Sequence, residues 1–274
     1  MKSWIALMAL AVLPTVHAEE VETHVYVEHS TGPLHLDIHR PVNTNQGASP
    51  CILWFHGGGW RNGSRENWKM LSWVLEHGYA IVSIDYRLSN TATFPAQKSD
   101  GEAALGWIRE NGREHGIDPD HIIAAGPSAG AHLASLTGLS ADKSQHSIRG
   151  IIHFYGPSDF ILMSRQAKEL DSPLNRPDSN VYQLFGGPLR ERHDLARSAS
   201  PVSHLDSSDP PLLILVGSQD SLMTQRQCRR LHEAAINAGV DSRLHVIDGA
   251  GHGGPEFFDE TRQTLILDFL SALP

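Results

Sequence analysis

What the chain lacks narrows it first. It has only two cysteines in 274 residues, Cys51 and Cys228, too few for a disulfide framework or a cysteine-built metal site. Cys51 opens an apolar stretch and Cys228 falls in a helical one much later, so two separate buried thiols are expected. Basic residues are scattered. Twenty-two Lys and Arg against 31 Asp and Glu leave a formal charge of −9, without the basic cluster that a nucleic-acid partner needs. There is no Gly-Lys-Ser/Thr phosphate loop, no internal repeat and no low-complexity tract, and the Gly57-Gly58-Gly59 run does not continue into a Gly-x-Gly-x-x-Gly fingerprint. The apolar stretch Ile5 to Leu13 is too short to span a bilayer, and no other window qualifies.

What is present begins with the pattern expected of a leader. Met1-Lys2 is followed by that apolar stretch and by Val16-His17-Ala18, a small-x-small cleavage pattern. A signal peptide over 1–18, cut after Ala18, is expected, with an uncleaved anchor as the alternative. The mature chain is expected to be secreted or periplasmic, without a membrane span. The remaining stretch, 19–274, suits one large domain in a chain that is 40% hydrophobic and 19% charged.

Val21 to Glu28 and Pro33 to Arg40 alternate apolar and polar residues around Ser30-Thr31-Gly32, the period of an antiparallel hairpin. His24, His29, His35 and His39 fall in or beside these strands. Their spacing does not converge, which predicts solvent-facing positions and no metal site. Beyond the hairpin, short continuous apolar runs alternate with helical ones. Strands are expected at Ile52 to Phe55, Ala80 to Ile84, His121 to Ala125, Gly150 to Tyr155, Pro211 to Val216 and Ser242 to Ile247. Helices are expected at Glu66 to Glu76, Gln97 to His115, Ala131 to Leu136, Thr224 to Ala238 and Pro255 to Ala272. Strands apolar on both faces and separated by helices predict an α/β fold, a mostly parallel sheet with helices on both sides. In such sheets function gathers at the carboxyl ends of the strands. The long connection 156–210, rich in Ser, Asp, Pro and Arg, predicts a small cap with helical pieces at Phe160 to Glu169 and Val181 to Phe185.

Gly126-Pro127-Ser128-Ala129-Gly130 joins a strand to a helix. A serine on such a turn, with glycine two positions either side, has the pattern of a nucleophile elbow, where the turn is sharp and bulk is excluded. The helix start aims unpaired N–H groups at charge developing beside Ser128. His56-Gly57-Gly58-Gly59-Trp60 follows the first parallel strand. Its glycines leave N–H groups free to turn inward, as an oxyanion hole requires, and no helix starts directly from it as one would from a phosphate loop. Asp220 follows a strand across Gly217-Ser218-Gln219, and His252 lies in Gly249-Ala250-Gly251-His252-Gly253-Gly254 after the last strand. A histidine held among small residues can approach the serine, and an acid can fix its tautomer. Asp220 also fits a turn or N-cap role, and Asp159 is the rival acid. His132, one turn down the helix from Ser128, is expected to point away from it. Asp85-Tyr86-Arg87-Leu88 is expected to brace the glycine loop or the elbow, and Asp118-Pro119-Asp120 to form a turn. Trp60 and Tyr155 fit either a substrate pocket or the aromatic core.

Together these segments resemble the α/β-hydrolase superfamily over nearly the whole chain after the leader, in the chain order Ser, Asp, His. Within it they resemble the esterase/lipase branch with a His-Gly-Gly-Gly loop and a Gly-x-Ser-Ala-Gly elbow. His56 to Trp60, Asp85 to Leu88, Phe94-Pro95-Ala96-Gln97 and Gly249 to His252 are similar to bacterial esterases of the feruloyl and acetyl-xylan type. The resemblance implies Ser128 as nucleophile, His252 as base and Asp220 as orienting acid, with the N–H groups of Gly58, Gly59 and Ala129 as oxyanion hole. Pro127 stands where relatives commonly carry His, Glu or Asp, and Ala131 where a third glycine is common. With the hairpin starting just after the expected signal peptide, the N-terminal helical cap of hormone-sensitive-lipase relatives is not expected.

The implied activity is hydrolysis of carboxylic esters through an acyl-enzyme, on small-molecule or carbohydrate substrates with short or aromatic acyl groups. No metal or organic cofactor is expected. Amide or formamide hydrolysis is the alternative, since His-Gly-Gly and Ser-Ala-Gly-Ala-His are also similar to kynurenine formamidase-like relatives. A non-catalytic binding protein is the reading from another class, and retention of all three candidate residues argues against it. The 156–210 segment is too polar for the lid of a long-chain lipase. The sequence leaves the oligomeric state open.

Overall fold

The computed structural model describes residues 21–41, 47–140, 148–169, 174 and 176–274, so the leader expected over 1–18 lies outside the described residues. Eight strands run β1 (Glu22–His29), β2 (Gly32–His39), β3 (Ser49–Phe55), β4 (Ala80–Ile84), β5 (Ile117–Pro127), β6 (Ile148–Phe154), β7 (Leu212–Gly217) and β8 (Ser242–Ile247). They form one sheet in the order β1-β2-β4-β3-β5-β6-β7-β8. The first hairpin is antiparallel, as is its join to β4, and every later pairing is parallel. Every residue of β4 and β7 is buried, which is why these runs are apolar without alternation. The helices that cover the sheet include α1 (Ala96–Asn111) and α2 (Ala129–Ser140). The fold is that of an α/β-hydrolase. A run of Ala, Gly, Ser and Leu lets α2 sit in the middle of the molecule, with Ala129 to Leu139 all buried.

The connection between β6 and β7 carries α3 (Phe160–Glu169), α4 (Asn180–Phe185) and α5 (His193–Ser198). Polar in composition, it is nonetheless anchored by buried Phe160, Leu184, Phe185 and Leu189. The Phe160 ring lies 5.0 Å from Phe185 and 5.9 Å from Trp60. After β7 comes α6 (Gln225–Ala238), and after β8 comes α7 (Glu260–Ser271). No helix among the described residues is long and apolar enough to cross a membrane.

Several local expectations are corrected. The helix expected over Glu66 to Glu76 is a 3-10 stretch, Lys69–His77. The Asn67 carbonyl accepts from the Trp54 indole at 2.8 Å and so is withdrawn from helical pairing. The helix expected to reach His115 divides at Asn111 into α1 and a 3-10 turn, Gly112–His115. Helix α7 starts at Glu260 because Asp259 caps it, accepting from the Arg262 N–H at 3.0 Å. Asp118-Pro119-Asp120, expected as a turn, is taken into β5 as an irregularity in its register with β3.

The hairpin histidines are not uniformly solvent-facing. His39 is buried and stacked on Trp68 at 3.7 Å, and burial lowers its pKa to about 4. His29 meets the buried carboxylate of Asp100 at 3.0 Å. His24 does converge with other ligand-type groups, through a partner from a distant segment, His115. Cys51 and Cys228 are buried and unbridged, and burial pushes both thiols up.

Candidate active site

Ser128 occupies the turn between β5 and α2 with φ 55°, a left-handed conformation that strains a serine backbone. Its N–H donates to the Phe154 carbonyl at 2.8 Å, and its carbonyl accepts from the His132 N–H at 3.2 Å. The flanking glycines are sterically required. A Cβ on Gly126 would stand 2.6 Å from the Gly130 carbonyl carbon, and one on Gly130 would stand 2.7 Å from the His56 oxygen. The elbow is thereby pressed against the end of β3 and the glycine loop that follows it.

The three distant side chains meet. The Ser128 hydroxyl donates to His252 Nε2 at 2.9 Å, and His252 Nδ1–H donates to Asp220 Oδ2 at 2.7 Å. An acceptor-only carboxylate on Nδ1 fixes the tautomer, leaving the Nε2 lone pair for the serine proton. The Asp220 side chain is fully buried and the His252 side chain is 19% exposed. Asp220 fills its turn role at the same time, for its Oδ1 accepts from the N–H groups of Leu222 and Met223 at 3.0 and 2.7 Å. The two loops are sewn together: Gln219 N–H donates to the Ala250 carbonyl at 2.9 Å, and Gly249 N–H to the Ser218 hydroxyl at 2.8 Å. Asp159, the rival acid, instead accepts from the Leu162 N–H at 2.8 Å and faces Arg230 at 3.2 Å.

The glycine loop is held from behind. His56 stacks flat on Tyr86 at 4.2 Å, its Nδ1–H donates to the Gly57 carbonyl at 2.7 Å, and its own carbonyl accepts from the Tyr86 hydroxyl at 2.9 Å. Asp85 takes the Arg65 N–H at 2.9 Å and its guanidinium at 2.7 Å. Tyr86 and Asp85 thus supply the brace expected of that motif. Burial lowers the pKa of His56, so the ring is neutral as well as rigid. The Gly58 carbonyl accepts from Arg61 and Asn62, which closes the loop on itself. No described residue accepts a hydrogen bond from the N–H of Gly58, Gly59 or Ala129. A nucleophile with such donors beside it can take part in acyl transfer.

A cleft of about 450 Å³ opens beside Ser128, walled by Gly59, Trp60, Met163, Val181, Leu222 and Met223. Trp60 is both wall and core, since its indole N–H donates to His132 Nδ1 at 3.0 Å. His132 points away from Ser128, as expected, and its Nε2–H donates to the Ala199 carbonyl at 2.7 Å. Burial lowers its pKa to about 3, so it is a neutral strut. Tyr155, the other pocket candidate, is not among the residues lining the cleft. It packs behind the imidazole, 4.8 Å from His252 and 4.6 Å from Phe257, and burial followed by the Asp220 charge pushes its phenol up to about 12.

Sequence reasoning missed the cleft residues on the cap and those on the loop into α6 and in its first turn, among them Met163, Asn180, Met223 and Gln227. Gln227 ties the two together, its Oε1 accepting from the N–H groups of Ser158 and Asp159 at 2.9 and 2.8 Å. None of these stands in a motif, and no spacing marks them.

Residues 36–235 match the family model described as BD-FAE. The chain belongs to the BD-FAE family. It is 32% identical over 221 residues to esterase LipQ of Mycobacterium tuberculosis, covering 75% of this chain and 50% of that one. It is 37% identical over 219 residues to carboxylesterase NlhH of the same species, covering 76% of this chain and 67% of that one. Among solved structures, a truncated carbohydrate esterase from gut microbiota superposes with a TM-score of 0.79 at 26% identity, covering 91% of this chain and 95% of that one. The chain spans about half the length of the first curated relatives it matches.

Proposed function

We propose that this BD-FAE member is a serine carboxylesterase with Ser128 as nucleophile, His252 as base and Asp220 as orienting acid. The observation that carries the reading is the unbroken relay at 2.9 and 2.7 Å between those three side chains. His252 takes the hydroxyl proton as Ser128 attacks the ester carbonyl. The N–H groups of Gly58, Gly59 and Ala129 receive the oxyanion, the alcohol leaves with the proton from His252, and water cleaves the acyl-enzyme by the same steps. None of these steps draws on a cofactor.

The apolar walls of the cleft suit short or aromatic acyl groups, and 156–210 serves as a cap that supplies Met163 and Val181 to them. Esters on carbohydrate are the substrate class favoured by the likeness to a carbohydrate esterase. Residues 1–18 serve as an export signal, and N-terminal sequencing of protein recovered outside the cytoplasm should begin at Glu19. The activity test is turnover of an aryl acetate and of the matching aryl amide by wild type and Ser128→Ala. Loss of nearly all ester turnover in the variant is expected. Retention of most of it would defeat the assignment, and faster amide than ester hydrolysis would move the reading to an amidase.

A further inference from the structure

Outside the cleft, ligand-type side chains converge at the edge of the sheet. Glu22 and His24 are two residues apart on β1, on the same face of the strand, and His115 closes the 3-10 turn after α1. Glu22 Oε1 lies 2.9 Å from His24 Nε2 and 2.6 Å from His115 Nδ1. The three ligand atoms fall within 4.8 Å of one another. The side chains are 32%, 26% and 20% exposed in that order, so an ion in solution reaches them. The groups are held in place by their surroundings: Arg40 grips the other carboxylate oxygen, Oε2. The His115 ring stacks on Trp107 at 5.3 Å and lies 4.3 Å from the His24 ring.

We propose that Glu22, His24 and His115 bind one divalent ion of the zinc class, which ties the edge strand β1 to the turn after α1. Two imidazoles and one carboxylate, with a fourth position open to water, form a donor set that zinc takes at about 2.0–2.2 Å. Imidazole donors favour zinc and its nickel and copper neighbours over magnesium or calcium. Tetrahedral placement asks the two nitrogens to retreat from Oε1 by roughly half an ångström, within the reach of side-chain torsions. Arg40 opposes the ion with its own charge but occupies Oε2, leaving Oε1 to ligate. Because β1 pairs with β2 alone among the described residues, such a tie secures a strand with one described neighbour in the sheet.

The test uses the full chain without an affinity tag, stripped with a chelator and titrated with zinc chloride by calorimetry and with cobalt(II) by absorbance. One ion per chain, a four-coordinate cobalt spectrum and a zinc-dependent rise in thermal midpoint are expected. Affinity should fall at least tenfold in His115→Ala and in His24→Asn, the second variant guarding against a misfolded first. Absence of zinc uptake by the wild type would overturn the proposal. So would uptake unchanged in both variants, which would assign the ion to other histidines such as His29 or His35.

Discussion

Histidines gather in two regions of this molecule, and the regions came together in different ways. At the carboxyl rim of the sheet, His56 and His252 stand in loops after β3 and β8, where parallel topology delivers chain segments far apart in sequence to one place. At the sheet edge, His24 meets Glu22 on its own strand but meets His115 only because α1 ends where it does. The rim is assembled by a rule of the fold. The edge is assembled by the length of one helix and the hand of one turn, so its contents cannot be read from strand order.

The comparison breaks most easily at the rim. His252→Ala is expected to lower kcat/KM on an aryl acetate by about 10⁴-fold or more, and Asp220→Asn by roughly 10³- to 10⁴-fold. Steady-state kinetics on folded variants checks both. A harmless Asp220→Asn beside a damaging Asp159→Asn would reassign the acid. Next in size is Gly130→Ala, whose methyl must displace the end of β3. A loss of about 1–3 kcal/mol in urea unfolding is expected, whereas zinc-free His24→Asn at the edge should cost less than about 1 kcal/mol.

Acid sensitivity sharpens the contrast. His132 and His153, both buried, have pKa values lowered by burial to about 3 and about 4, and His39 on β2 to about 4. All three stay neutral when folded while the unfolded chain protonates them near 6.5. Each therefore stabilises the fold fully above that value, and the contribution falls as pH drops toward the folded pKa. The slope is about 1.4 kcal/mol per pH unit per histidine. Urea midpoints at pH 7 and 5 should show the decline, and His39→Gln should flatten it by one histidine's share. The smallest effect belongs to Asp159→Asn, with kcat/KM expected within about threefold of wild type because its carboxylate meets Arg230 and a helix start, away from His252.

These two regions also mark how far the sequence could be read. The strand–helix alternation, the elbow, the glycine loop and the acid and histidine after β7 and β8 were all legible, because each is a local pattern placed by parallel topology. What escaped depends on tertiary contact. Nothing in Glu66 to Glu76 shows that the Asn67 carbonyl would be taken by Trp54. Tyr155 follows a strand as a pocket residue does, yet a backbone φ of 43° turns it behind the imidazole. The cap reads as polar because Phe160, Leu184 and Phe185 are few among many charged neighbours, though they are the residues that fix it.

The most direct measurement is mass spectrometry of the folded protein after reaction with a fluorophosphonate. One adduct on Ser128 is expected, absent in Ser128→Ala and formed far more slowly in His252→Ala. A folded wild type that takes no label, or that carries it on another residue, would contradict the relay on which the proposed activity stands.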